Sequence, residues 1–291
     1  MNTHRPNLKI LVDNAAGQTG LQTEHGFSLL IETGGKTILF DAGQETALEN
    51  NARTLAISLQ HIDAFVLSHG HCDHTGAVDF VLQENPAVPV YAHPAIFSER
   101  YSLHSGQPPR EISMPSEERL IVANLPDSQL NWIRKPTPIL PGVWLTGPIP
   151  RVHPLENTGG PFFTDPEGKT PDPITDDMAL WIETIHGLLI VCGCCHSGLI
   201  NTVNHIRQAS GEARIFGIIG GLHLKNASAD RLAATTDALR ESNPEFIVPC
   251  HCTGEAAIAH FHAHLNTRII SGFAGFEFAS RVFTSNYSAW G

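Results

Sequence analysis

The sequence predicts an α/β fold, and three observations carry that expectation. Short, continuously apolar runs of strand length alternate with stretches whose apolar residues recur at helical spacing. Turn signals rich in Gly, Pro, Asn and Asp bound most of these runs. The chain has 291 residues, 42% of them hydrophobic, which is enough to bury a sizeable core unaided. One domain over 1–291 is expected, with loop insertions at about 98–140 and 148–177.

Taken in order, LKILVD (8–13), FSLLIET (27–33) and KTILFDAG (36–43) read as strands, the last two joined through Gly34-Gly35 as a hairpin would be. Residues 45–60 carry helical periodicity, and AFVLS (64–68) is a buried strand by its length and unbroken apolarity. A helix from Gly76 to Gln83 and a strand VPVYAH (88–93) follow. Residues 98–140 break into polar, Pro-rich text before GVWLTG (142–147) resumes as a strand. Pro148 to Asp177 is too proline-rich for regular structure, and loops of such length are commonly functional lids or flexible insertions. MALWIET (178–184) and GLLIVCGC (187–194) form a strand pair. Helix Gly198–Gln208, strand RIFGIIGG (214–221), helix Ser228–Glu241, strand EFIVPC (245–250) and helix Gly254–Leu265 complete the alternation. GFAGFEF (272–278) reads equally well as a final core strand or as an interface.

Composition excludes several functions. Eighteen Lys+Arg against 29 Asp+Glu give a formal net charge of -11, which argues against a nucleic-acid partner. No apolar stretch is long enough for a membrane helix, and the N-terminal residues lack a signal peptide's apolar region, so a cytoplasmic chain without a membrane partner is expected. Oligomeric state is not legible. The six cysteines bunch in three places beside histidines rather than at a disulfide scaffold's spacing. With 17 histidines in the chain, metal chemistry is the first functional suspicion.

The strongest local signal is Ser68-His69-Gly70-His71-Cys72-Asp73-His74-Thr75-Gly76, between a buried strand and a helix. His69 and His71 share one side of an extended segment, while Asp73 and His74 follow where the chain turns. The two pairs can face two adjacent metal ions, and imidazole with carboxylate suits zinc, iron or manganese. His223 ends a strand beside two glycines, which lets backbone approach a ligand; a metal or substrate role and a plain strand-end histidine remain equal readings. His25, next to Glu24 and ahead of a strand, is a candidate substrate contact. Arg151 opens the long loop and could hold a phosphate or carboxylate bidentately, although an isolated loop arginine is more often a solvated charge. Cys192, Cys195, Cys250 and Cys252 read as small buried filler. His260, His262 and His264 read as a solvated helix face, with no carboxylate or thiol converging on them.

The H-x-H-x-D-H run after a strand resembles the signature of the metallo-β-lactamase superfamily. The resemblance implies an αββα sandwich: two mixed sheets packed face to face, helices outside, and the site at one edge. It implies that Asp41 of Phe40-Asp41-Ala42-Gly43 stands behind the metal site and fixes a ligand histidine, and that His251 of Pro249-Cys250-His251-Cys252-Thr253-Gly254 is a late ligand. The chain departs from the common pattern in the middle. Where many members place a bridging aspartate, strand LLIVCG runs into Cys194-Cys195-His196. By position Cys194 replaces that aspartate and His196 becomes the candidate for the missing histidine, and either or both could bind. VDN near the start, Glu24-His25-Gly26-Phe27-Ser28, the G-C-x-H turn at 193–196, Gly220-Gly221-Leu222-His223-Leu224 and P-C-H-C-T-G narrow the resemblance. They are similar to a subgroup whose named relatives include 7,8-dihydropterin-6-yl-methyl-4-(β-D-ribofuranosyl)aminobenzene-5'-phosphate synthase.

The implied cofactor is a pair of divalent ions, zinc first, held by His69, His71, Asp73, His74, His196, His251 and Cys194. Asp73 doubles as the catalytic carboxylate, while His25, His223 and Arg151 contact a small-molecule substrate that could bear phosphate. The expected activity is hydrolysis by metal-activated water at a carbonyl or phosphoryl centre. The alternatives are a synthase-like transferase that releases pyrophosphate, a di-iron redox protein, and a non-catalytic metal-binding module.

Overall fold

The computed structural model describes residues 4–279. Two seven-stranded sheets lie face to face among the described residues. The first runs Glu277–Ala279, Asn7–Val12, Ser28–Thr33, Lys36–Phe40, Ala64–Val66, Val90–Ala92, Leu130–Trp132, antiparallel up to Lys36–Phe40 and parallel beyond it. The second runs Arg268–Ile269, Phe246–Cys250, Ile215–Gly221, Gly187–Cys192, Ala179–Thr184, Val143–Leu145, Thr137–Leu140, with the first four strands parallel.

Side-chain alternation explains why two sheets stack with helices outside. In Lys36–Phe40, Ile38 and Phe40 enter a core shared with Leu180, Leu189 and Val248 of the opposite sheet, while Leu39 faces outward. Leu39, Phe65 and Val90 meet Leu48, Val78, Val81 and Val122 on the helices covering the first sheet. Ile190, Ile218 and Ile247 meet Leu199, Val203, Ile206, Leu239 and Phe261 on the helices covering the second. Each such side chain contributes about 1.5–3 kcal/mol through burial, and both faces of both sheets are apolar, which produces the four-layer αββα arrangement.

The predicted strands all form. The segment at 272–278 resolves as an edge strand, Glu277–Ala279, with Phe276 and Phe278 buried between the sheets. Two details differ from the periodicity. The single helix expected from Gly76 splits into Cys72–Thr75 and Val78–Glu84, because the histidine loop turns helical before Gly76, and a Cβ there would lie 1.8 Å from the Gln44 carbonyl oxygen. The segment 98–140 is more ordered than its polar text suggests, with a helix at Ser116–Ala123 and strand Leu130–Trp132 completing the first sheet. A third, small sheet joins Phe162–Phe163, Tyr101–Ser102 and Arg110–Glu111, tying the two insertions together. No helix of the described residues is long and apolar enough to cross a membrane.

Candidate metal centre

Every predicted ligand stands at or just beyond the carboxyl end of a strand, where the chain leaves the sheet. Several of these exits are strained. Asp41, Cys195, His223 and His251 have φ between 46° and 61°, the left-handed region that residues with a Cβ seldom occupy. Such geometry costs on the order of 1–3 kcal/mol per residue and persists only where the surroundings enforce it.

Four histidines are oriented by the same device. His74 Nδ1 donates to Asp41 Oδ2 at 2.7 Å, His196 Nδ1 to the Thr158 carbonyl at 2.8 Å, and His251 Nδ1 to Asn14 Oδ1 at 3.0 Å. Ser68 Oγ lies 2.7 Å from Asp41 Oδ2 and donates there, so His69 Nδ1, 2.9 Å away, donates to Ser68 Oγ. In the His69, His74 and His196 rings the outer nitrogen carries the proton and Nε2 presents its lone pair inward, and His251 does the same once its second proton is lost. His74 Nε2 and His251 Nε2 lie 3.1 Å and 3.3 Å from Cys194 Sγ, and 3.7 Å and 3.4 Å from Asp73 Oδ2. His69 Nε2 is 3.0 Å from His71 Nδ1. His196 Nε2 is buried with no hydrogen-bond partner, as is His71 Nε2.

Three donor groups overlap at one sulfur. Asp73, His74, Cys194 and His251 form the first; His69, Cys194 and His196 the second; Cys194, His223 and Cys252 the third. Within each group the ligand atoms lie within 4.8 Å of one another. Both mid-chain candidates, Cys194 and His196, are therefore brought to the site, with the thiol central to all three groups. His71 packs against His69 and His196 at ring-centroid distances of 4.6 Å and 4.8 Å.

Burial holds the His69, His71 and His196 imidazoles well below their usual pKa, and the neighbouring rings add to the effect. They are neutral, with lone pairs free to ligate. Burial would raise the Asp73 carboxyl, but His74 and His251 outweigh it and hold the group well below the usual carboxylate range. Unprotonated imidazoles, a carboxylate and thiols converging here, with His71 Nε2 and His196 Nε2 left without hydrogen-bond partners, make a donor set that fits divalent transition metals.

Asp41 sits under this cluster, fully buried, accepting from Ser68 N at 2.7 Å as well as from Ser68 Oγ and His74. The glycine of the G-C-x-H turn keeps that brace intact, because a Cβ on Gly193 would fall 2.3 Å from Ser68 Oγ and 2.7 Å from Asp41 Oδ2. Asp13 and Asn14, the D-N of the early motif, hold His251 by backbone and ring respectively, with Asp13 Oδ1 accepting from His251 N at 2.8 Å.

A cavity of about 1260 Å³ opens over the cluster, lined by His25, His71, Asp73, Phe162, Cys194, His196, His223, His251 and Cys252 among others. His25, half exposed, places Nε2 3.3 Å from Asp73 Oδ2. His223 packs against His196, with centroids 4.3 Å apart and ring planes tilted by 45°. His262 borders the cavity while remaining exposed, as the solvated helix face expected there would be. Arg151 is a correction. Its guanidinium donates to the carbonyls of His196 and Ile174, at 3.3 Å and 3.0 Å, and it does not line the cavity, so it braces the His196 turn rather than facing a substrate.

The 148–177 insertion is also more than a lid. Asp176 Oδ2 accepts from Gly70 N at 2.8 Å, Asp177 Oδ2 from Ser197 N at 2.7 Å, and Phe162 covers His71, His196 and His223. Adjacent aspartates thus anchor both histidine-bearing turns. Cys252 is the residue that sequence reading passed over as filler. Its Sγ lies 3.4 Å from Cys194 Sγ, and its place two residues after His251 in P-C-H-C-T-G was the available signal.

Comparison with known proteins bears on the family and the fold. The family model described as "Metallo-beta-lactamase superfamily" matches residues 22–191. A curated protein of Methanocaldococcus jannaschii, 7,8-dihydropterin-6-methyl-4-(beta-D-ribofuranosyl)-aminobenzene-5'-phosphate synthase, is 30% identical over 263 residues, covering 85% of this chain and 88% of that protein. An uncharacterised protein of the same organism is 34% identical over 254 residues, covering 86% and 92%. Among solved structures, that of Tm1679, described as a metal-dependent hydrolase of the beta-lactamase superfamily, has a TM-score of 0.79 at 28% identity over 94% of this chain and 98% of its own.

Proposed function

The chain belongs to the metallo-beta-lactamase superfamily, and from that premise we propose that it is a metal-dependent hydrolase of a small, phosphate-bearing molecule. The observation that carries the reading is the common orientation of four imidazoles whose Nε2 atoms converge beside Asp73 and Cys194. In this reading His69, His71 and His196 hold one divalent ion, Asp73, His74 and His251 hold a second, and Cys194 stands between them. Zinc suits the mixture of imidazole, carboxylate and thiolate best, while manganese and iron share the first two preferences. Two such ions, when bound, would polarise a carbonyl or phosphoryl oxygen and bring the pKa of water down toward about 7.

The remaining chemistry belongs to side chains. Asp73 orients His25 through the 3.3 Å contact, which sets a half-exposed imidazole on the cavity wall where it can take a proton from the attacking water and relay it to a leaving group. Burial lowers the His25 pKa, partly offset by Asp73, so the ring is neutral and can also receive a proton at neutral pH. Arg110 and Lys225 line the same cavity and put positive charge at its wall in a chain of net charge -11, which favours a phosphate-bearing substrate. A second reading, a transferase that joins an arene-bearing ribose phosphate to a pterin and releases pyrophosphate, is favoured by the 30% identity with the M. jannaschii synthase over most of both chains.

The test is a panel of phosphodiesters, phosphate monoesters, lactones and thioesters assayed with zinc-loaded protein. Zinc-dependent turnover of a phosphate ester, abolished by chelator, is expected. Pyrophosphate release from a pterin diphosphate, with no hydrolysis across the panel, would replace the hydrolase by the transferase.

Metal uptake should depend on pH with a definite sign. Burial pushes the Cys194 thiol well up; for His251, burial is outweighed by Cys252, Asp73 and Asp13, which raise the ring to about 9. Both groups must lose a proton to ligate, so uptake releases protons and apparent affinity rises with pH through about 9, where His251 titrates, and beyond it while Cys194 still holds its proton. Competition titrations against a chelator across that range, in buffers of different ionisation enthalpy, check it; an affinity independent of pH contradicts it.

A further inference from the structure

We propose that Cys194, His223 and Cys252 form a further binding site for a soft, thiophilic metal ion, beside the dinuclear donor set and sharing Cys194 with it. Their ligand atoms lie within 4.8 Å of one another, and the two sulfurs are 3.4 Å apart. Two thiolates and an imidazole are the donors that zinc, cadmium and copper(I) prefer over the hard cations.

Three independent features build the site. His223 is held in the left-handed region at φ 46°, and its Nδ1 is buried without a hydrogen-bond partner. The strand before it ends in Gly220-Gly221, and a Cβ on Gly221 would lie 2.7 Å from Cys252 Sγ. Across the cavity, a Cβ on Gly159 would lie 2.2 Å from the His223 ring. Both glycines therefore clear the volume that the imidazole and the thiol occupy. All three donors line the cavity, which leaves a coordination position open toward it. The other buried cysteines are placed differently: Cys195 Sγ pairs with Thr202 Oγ1 at 3.4 Å and packs with Cys192 in the apolar core outside the second sheet. Ion binding displaces protons still held by the thiols to solvent and involves no electron transfer. The site stands on its own donors and does not depend on the reaction proposed above; only the shared Cys194 links the two.

Cadmium is the probe. The full chain, stripped of metal and kept reduced with a phosphine so that Cys194 and Cys252 cannot oxidise to a disulfide, is titrated with cadmium. The ultraviolet thiolate-to-cadmium band and the bound equivalents are read together. Cys252→Ser is expected to bind one equivalent fewer and to lose about half of the charge-transfer absorbance, since one of two thiolates is gone. His223→Gln is expected to lose the same equivalent with both thiols intact. Circular dichroism verifies that each variant is folded, and the second variant stands in if the first is not. Stoichiometry and band unchanged in both variants would overturn the site, as would a band abolished by Cys194→Ser but indifferent to Cys252→Ser. His69→Ala addresses the dinuclear set separately: a loss there with none in Cys252→Ser, or the reverse, tells which of the two assignments fails.

Discussion

Asp73→Ala is expected to lower kcat by about a thousandfold, roughly 4 kcal/mol of transition-state stabilisation. The carboxylate oxygen Oδ2 faces three imidazoles at once, His25 at 3.3 Å, His251 at 3.4 Å and His74 at 3.7 Å. Truncation removes the oxygen proposed to ligate metal, the negative charge that the histidines surround, and the group that orients His25. Asp73→Asn keeps the volume and separates these effects, because it retains a neutral oxygen but not the charge. Turnover measured on whichever substrate the panel identifies decides the matter. A loss smaller than about threefold would mean that Asp73 lies outside the reacting centre.

The second large effect is structural. Arg100→Ala is expected to destabilise the fold by about 3–5 kcal/mol, read as a fall in the urea midpoint at unchanged m-value. Arg100 is 1% exposed, with Nε donating to Asp172 at 2.8 Å and Nη1 and Nη2 donating to the two oxygens of Asp176 at 3.0 Å and 2.6 Å. Its removal leaves two buried carboxylates without their counter-charge. Arg100→Lys restores charge but not the planar fork, so most of the loss should remain. Because Asp176 also holds Gly70 N between His69 and His71, zinc affinity should fall along with stability. A change below about 1 kcal/mol would contradict the role given to this pair.

Much of the site was legible because its residues fall in short runs. His69 to His74 lie in one turn after a buried strand, and the sheets read correctly because strands buried on both faces are unbroken apolar text, as in Ile215–Gly221. What escaped depended on distance along the chain. Arg100 meets partners 72 and 76 residues away, and nothing local marks an arginine in polar, Pro-rich text as buried. Cys252 acquires meaning only when the fold sets it against Cys194, 58 residues earlier. Arg151 was misread for the same reason: a loop arginine looks free until the His196 and Ile174 carbonyls are seen to occupy it. The insertions were read as covers, whereas Asp176, Asp177 and Thr158 fix the histidine turns from behind.

The most direct test of the central claim is the zinc content of the full chain carrying Cys252→Ser, which removes the proposed soft site and leaves the other donors in place. Elemental analysis should give about two equivalents, falling toward about one when His251→Ala is added. A single equivalent indifferent to His251→Ala, or none at all, would contradict a dinuclear centre built on these residues.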